Sequence, residues 1–218
     1  TLVESPSLRA EIQTFLVTTS GEPRLVERVW ERMAEEVAAG NRVFVVCPSI
    51  SPSETDPKSD KSSGREPLAS VEETYDSLTA RYPQISFEKL HGALDSHAKR
   101  EAMRRFEGFE EPKVDVLIAT TVIEVGVDIP AATMINVLNA ERFGISQLHQ
   151  LRGRIGRGSK PGVCILVHGN TQSAASTDRL EAVRDSRDGF ALSQKDLEIR
   201  GEGDVLGQDQ SGALSSLR

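Results

Sequence analysis

The run from Val114 to Gly158, VDVLIATTVIEVGVDIPAATMINVLNAERFGISQLHQLRGRIGRG, constrains this chain more than any other. It opens with an apolar run, Val114 to Ala119, turns at Thr120 and Thr121, passes Gly126 and Asp128, and ends in arginines separated by glycines. A second apolar run, Thr133 to Val137, lies between. Continuous apolar runs without period-two alternation suit strands covered on both faces, hence a parallel sheet. Such sheets bind ligands beyond the carboxyl ends of their strands, which is where Thr120 and Thr121 stand. Hydroxyls at a strand end followed by a guanidinium cluster suggest a site that handles phosphate.

The flanking sequence supports that layout. Ile12 to Thr18 reads as an opening strand, and Arg24 to Ala39 as a helix with Leu25, Val26, Val29, Trp30, Met33 and Val37 on one stripe. Gly40 suits the position just past that helix, and Arg42 to Val46 a buried strand stopped by Pro48. Residues 51–70 are rich in Ser, Pro and charge, too polar to offset their ordering entropy; a linker between domains is one reading, but regular α/β spacing resumes on both sides, so a flexible surface insertion is expected. A helix over Val71 to Arg81, a strand over Ile85 to Leu90 and a helix over Asp95 to Phe106 follow. In the last, Ala98, Ala102, Met103 and Phe106 share a face and leave Lys99, Arg100, Arg104 and Arg105 outside, a solvated face or a DNA contact. Gly162 to Val167 is the final strand, Ser176 to Arg187 looks helical, and a charged, Gly-rich tail runs on from Asp188. Strands alternating with helices make the expected fold an α/β parallel sheet with helices on both faces. A lobe over residues 1–169 carries a small helical and loop element over 170–218.

The arginine cluster can be placed further. With a helix opening at Ser146 and Leu148 taken as zero, Leu151 and Ile155 fall at about 300° and about 340°, the buried stripe. Gln150, Arg154 and Arg157 fall at about 200°, 240° and 180°, on the opposite face. Gly153 and Gly156 would each cost such a helix about 1 kcal/mol relative to Ala, so something must approach the backbone closely there. Guanidiniums donating in forks suit a polyphosphate, though a solvated, salt-bridged face would show the same spacing.

The net charge of -7 argues against a protein that coats nucleic acid through its overall field. From Glu141 to Lys160, however, Arg142, Arg152, Arg154, Arg157 and Lys160 face a single acid. Cys47 and Cys164 sit far apart in apolar runs, as small buried hydrophobes of a reduced compartment do. No leader opens the chain and no apolar run approaches the roughly 20 residues that span a bilayer, so no membrane partner and a cytoplasmic location are expected. Neither a phosphate loop G-x-x-x-x-G-K-[ST] nor an Asp-Glu pair occurs anywhere in the 218 residues. Arginines that neutralise a transferring phosphoryl group need that machinery, so it must come from another lobe.

The pieces ATTVIEVGVDIP and QLHQLRGRIGRG resemble motifs V and VI of superfamily 2 helicases, in the order and spacing of the second RecA-like motor lobe. VFVVCPSI resembles motif IV, and LHGALDSHAKREAMRRF the segment between IV and V. RDSRDGFALSQKDLEIRGEGDVLGQDQSG is similar to the translocation motif shared by the RecG-type branched-DNA helicases and the transcription-repair coupling factor, with RDSRDGF closer to the RecG pattern. The polar loop over residues 51–70 is longer than the family's usual one.

The resemblance implies an ATP-dependent motor for branched duplex DNA, such as stalled forks and Holliday junctions. Its partners would be a first RecA-like lobe, holding most of the Mg2+ coordination, and a wedge domain. By match of position, Arg154 and Arg157 would face the ATP γ-phosphate with Gln150 beside them, and Gly126 and Asp128 would approach the nucleotide. Thr120 and Thr121 would meet the DNA backbone, and Arg179, Arg200 and Gln210 would couple lobe closure to translocation. The alternatives are the same lobe of a coupling translocase, or a non-catalytic interaction module keeping a motor lobe's shape.

Overall fold

The structure is a computed structural model that describes residues 12–20, 23–52, 68–120, 132–156, 160–169, 174–189, 191–196 and 198–199. Six strands form one sheet: β1 (Ile12–Thr18), β2 (Arg42–Cys47), β3 (Phe87–Leu90), β4 (Val116–Thr120), β5 (Ala132–Val137) and β6 (Gly162–His168). Their order is β1-β6-β5-β2-β4-β3, and every pairing is parallel. The expected α/β fold is therefore observed. The two strands of the Val114–Gly158 run, β4 and β5, flank β2 at the centre of the sheet.

Alternation along the strands divides the core in two. Val43, Val45 and Cys47 of β2, with Val116 and Ile118 of β4, face helices α1 (Pro23–Ala38) and α2 (Val71–Arg81) through Val29, Met33, Val71 and Leu78. Phe44 and Val46, with Leu117 and Ala119, face α3 (Ser96–Glu107), α4 (Ile145–Arg152) and α5 (Ala174–Asp185). Phe44 meets Phe106 of α3 at 4.8 Å between ring centroids. Because Leu180 and Val183 of α5, and Leu192 beyond it, lie in this same cluster, the start of the C-terminal element shares the sheet's core.

Local chemistry sets the element ends. Asp95 caps α3 by accepting from the amides of His97 and Ala98 at 2.8 Å, and Gly108 ends it at φ +83°. Gly40 follows α1 at φ +77°, as its position predicts. The polar stretch is narrower than 51–70, because its last residues are built into the fold. The Ala69 amide donates to Asn139 Oδ1 at 2.8 Å, and buried Ser70 caps α2. Residues 53–67 lie outside the described residues. Strand β3 begins at Phe87, two residues later than expected, since Ile85 is buried ahead of it and the Ser86 amide donates to Asp115 Oδ2. Cys47 and Cys164 are buried free thiols, as expected.

Candidate nucleotide and nucleic-acid site

One expectation about the arginine helix fails. α4 spans only Ile145–Arg152, with Gly144 at its N-cap in place of Ser146; the Gly144 amide donates to Gln147 Oε1 at 3.0 Å. Gly153 ends the helix and Gly156 adopts φ +70°, a conformation that favours glycine. Arg154 therefore sits in a turn beyond the helix, and the wheel that placed Gln150, Arg154 and Arg157 on one face does not apply past Arg152. Neither glycine costs a helix interior anything. The packing constraint falls on Gly162 instead, where a Cβ would come within 3.3 Å of the Gly156 Cα. Gln150 stays exposed on α4, while Ile155 anchors the turn in the core at 1% exposure.

The turn docks at the amino end of the sheet. The Gly156 amide donates to the carbonyl of Ala132, the first residue of β5, at 3.4 Å. Thr120 closes β4 at the carboxyl end. The Val114–Gly158 run thus places its hydroxyl and arginine ends on opposite edges of the sheet, one strand length apart, roughly 15 Å. Thr120 is 5% exposed, lies in register with Cys47, and its Oγ1 has no hydrogen-bond partner among the described residues. His91, one residue past β3 at the same edge, likewise has a buried Nδ1 with no partner among them. Buried polar atoms are almost always satisfied, so two orphans at one edge are unusual.

The residue that sequence reasoning missed is Arg152. It is 5% exposed, and one Nη donates to the carbonyls of Val183 and of Ser186, the latter at 2.8 Å. Its other Nη lies 3.0 Å from His149 Nδ1. Arg152 ties the helix leading into the arginine turn to the end of α5. Burial lowers its pKa, with Arg187 adding to the effect, and burial followed by the Arg152 charge lowers that of His149. A signal was present: about 40° from Leu148 on a helical wheel, Arg152 falls on the core stripe.

Of the other expected site residues, one is described. Arg179 lies on α5, its Nε donating to the Ala175 carbonyl at 3.3 Å and Nη2 to Ser176 Oγ at 3.0 Å. Thr121, Gly126, Asp128, Arg157, Arg200 and Gln210 lie outside the described residues. On α3 the solvated reading gains support: Arg105 pairs with Glu88 at 3.0 Å and Lys99 donates to the Gly92 carbonyl at 3.0 Å. Among the described residues no three His, Cys, Asp or Glu side chains cluster, and no helix is long and apolar enough to cross a membrane.

A parallel sheet with an arginine turn at one edge is the arrangement of a RecA-like motor lobe, and residues 25–159 match the model of the helicase conserved C-terminal domain. The chain belongs to that family, and within it to the RecG type. It is 45% identical over 219 residues to the ATP-dependent DNA helicase RecG of Mycobacterium tuberculosis, covering 100% of this chain and 29% of that protein. To the RecG of Haemophilus influenzae it is 40% identical, covering 99% of this chain and 29% of the relative. A solved structure of RecG bound to a three-way DNA junction superposes with a TM-score of 0.68 at 35% identity, over 92% of this chain and 24% of that one. The second domain of the DEAD-box helicase Mss116p, bound to an RNA duplex, shares the fold at 16% identity and TM-score 0.51. The chain thus spans less than a third of its RecG relatives.

Proposed function

We propose that this chain is the second motor lobe of an ATP-dependent translocase that remodels branched DNA in repair and recombination. The observation that carries the reading is alignment of 99–100% of this chain with 29% of each of several RecG helicases, at 40–45% identity. Junction binding by the structurally similar RecG supports branched DNA as the track.

In this reading Arg154 and Arg157, with Gln150, meet the γ-phosphate across a cleft and neutralise charge as the phosphoryl group transfers. Gly126 and Asp128 approach the nucleotide from the same side. Magnesium would be held mainly by residues of the other lobe, where it would supply neutralisation of phosphate charge. Thr120 and Thr121 face the tracked DNA backbone, consistent with the unsatisfied hydroxyl and imidazole nitrogen at the carboxyl edge. Backbone contact fits a motor that reads no base sequence. Arg179, Arg200 and Gln210 belong to the 170–218 element that converts lobe closure into duplex movement.

The lack of a phosphate loop divides the active site between lobes, which gives a direct test. The 218-residue chain alone should show no DNA-stimulated ATP turnover. In a two-lobe enzyme carrying it, Arg154→Ala should lower turnover by about 10³-fold or more while fork binding persists. Clear turnover by the isolated chain, or parallel loss of fork binding in the variant, would refute the split-site reading.

A further inference from the structure

We propose that Glu36 is a positioning residue for the arginine turn, acting through Thr133, Asn41 and Lys160; this rests on the nucleotide role proposed for that turn. Glu36 occupies the buried stripe of α1 beside Val29 and Met33 and is 8% exposed. Burying a carboxylate is costly unless it is fully partnered, and here it is. Oε1 accepts from Arg32 Nη2 at 2.6 Å, and Oε2 accepts from Thr133 Oγ1 at 2.7 Å and Asn41 Nδ2 at 2.8 Å.

The register of the sheet is broken to make this contact. Arg42 pairs with Ala132 but Val43 pairs with Met134, so Thr133 is an extra residue on β5. Bulges are rare between parallel strands, and their effect is to re-aim a side chain. Thr133 is re-aimed onto Glu36. An apolar residue at position 36 would often stabilise such a core as well or better, so the retained carboxylate calls for another reason.

That reason lies in what its two Oε2 partners hold. Ala132, next to Thr133, accepts the Gly156 amide. Asn41 Oδ1 accepts from Lys160 Nζ at 2.7 Å. Gly156 closes the turn that bears Arg154, and Gly156 and Lys160 bracket Arg157 in the sequence. One carboxylate therefore fixes both footings of the arginine-bearing segment, on β5 and on the α1–β2 connection. A misplacement of about 1 Å can cost a catalytic group about a hundredfold, so both footings bear on turnover.

The test is steady-state, DNA-dependent ATP hydrolysis by the complete two-lobe enzyme. Glu36→Leu should lower kcat by roughly ten- to hundredfold, with the KM for ATP changing by about twofold or less, because a group acting in the transition state is displaced. Glu36→Gln should recover most of the loss, since its amide oxygen still accepts from Thr133 and Asn41. Lys160→Met, at an exposed position, should lower kcat severalfold without changing the melting temperature. A lower melting temperature with unchanged kcat in Glu36→Leu would make Glu36 merely structural and overturn the inference. If Glu36→Leu does not fold, Lys160→Met decides, and an unchanged kcat there overturns it. Arg154→Ala run in parallel separates the two failures. Full turnover in that variant removes the nucleotide role and this inference with it, whereas its inactivity beside unaffected Glu36 and Lys160 variants removes only this inference.

Discussion

Arg152→Met is the perturbation that most directly tests how the arginine turn is joined to the C-terminal element. Methionine can follow much of the arginine's path through the core but donates no hydrogen bond. The Val183 carbonyl is buried, and losing its donor costs about 1–3 kcal/mol. The Ser186 carbonyl and His149 are only partly buried, so water can replace their lost bond and they add little. Removing a guanidinium whose pKa is already lowered by burial returns part of its desolvation cost. The net loss should be about 2 kcal/mol, a fall of roughly 4–8 °C in melting temperature for a chain of this size. Both carbonyls lie at the end of α5, so the loss should fall on that helix before the sheet. Amide hydrogen exchange should therefore speed up by about 30-fold in α5 and stay unchanged in β2 and β4. Arg152→Lys, which keeps charge but loses the planar fork, should lie between. Unchanged α5 protection in Arg152→Met would refute the idea that this residue ties the two elements.

The same contact carries a pH dependence. Burial of the His149 ring, and then the Arg152 charge 3.0 Å from its Nδ1, favour the neutral form and lower its pKa. Stability from this group is complete above the unfolded histidine pKa of about 6.5 and is lost as pH falls through that value toward the lower folded one. Protection of the α5 amides, taken relative to the intrinsic exchange rate at each pH, should therefore fall as pH drops below about 6.5, and His149→Gln should flatten the profile; a flat protection profile in the unaltered chain would count against the contact. Burial pushes the thiols of Cys47 and Cys164 each up to about 12. Both should resist iodoacetamide in the folded chain at about pH 8 and react fully in denaturant, so fast labelling of either would contradict its burial.

The sheet was legible in the sequence because its strands are short, continuous apolar runs, and each expected strand appears within two residues of its place. α1 and α3 were legible because apolar stripes and terminal glycines agree. The arginine helix was not, since Leu148, Leu151 and Ile155 keep helical spacing through the point where α4 ends. Ile155 reaches the core from a turn instead, and glycine's tolerance of positive φ at Gly156 competes with periodicity there. Arg152 and Glu36 were hidden for a shared reason. Each is a charged residue at a core position, and a charge pattern read along the chain assigns charges to the surface. Only tertiary partners, the carbonyls at the end of α5 for one and a bulged threonine for the other, make those positions tolerable. The site was legible through family resemblance more than through geometry. Thr120 shows the limit, because its place at the end of β4 was readable and its burial at 5% exposure was not.

The two edges of this sheet pose a mechanical question that packing answers. The arginine turn and Thr120 belong to opposite ends of β4 and β5, both of which pair with β2. Close-packed interiors have low compressibility, so a push at the arginine turn cannot be absorbed within the sheet before it reaches the carboxyl edge. Contacts to nucleotide and to DNA, on the reading proposed here, would then move together with the whole lobe as rigid-body closure. Arg152 extends that body to α5, and Glu36 extends it to the footing of the turn itself. Loosening Arg152 should therefore uncouple ATP turnover from DNA movement before it abolishes either contact. Loss of coupling efficiency ahead of loss of fork affinity is the signature that separates such a strut from a binding residue.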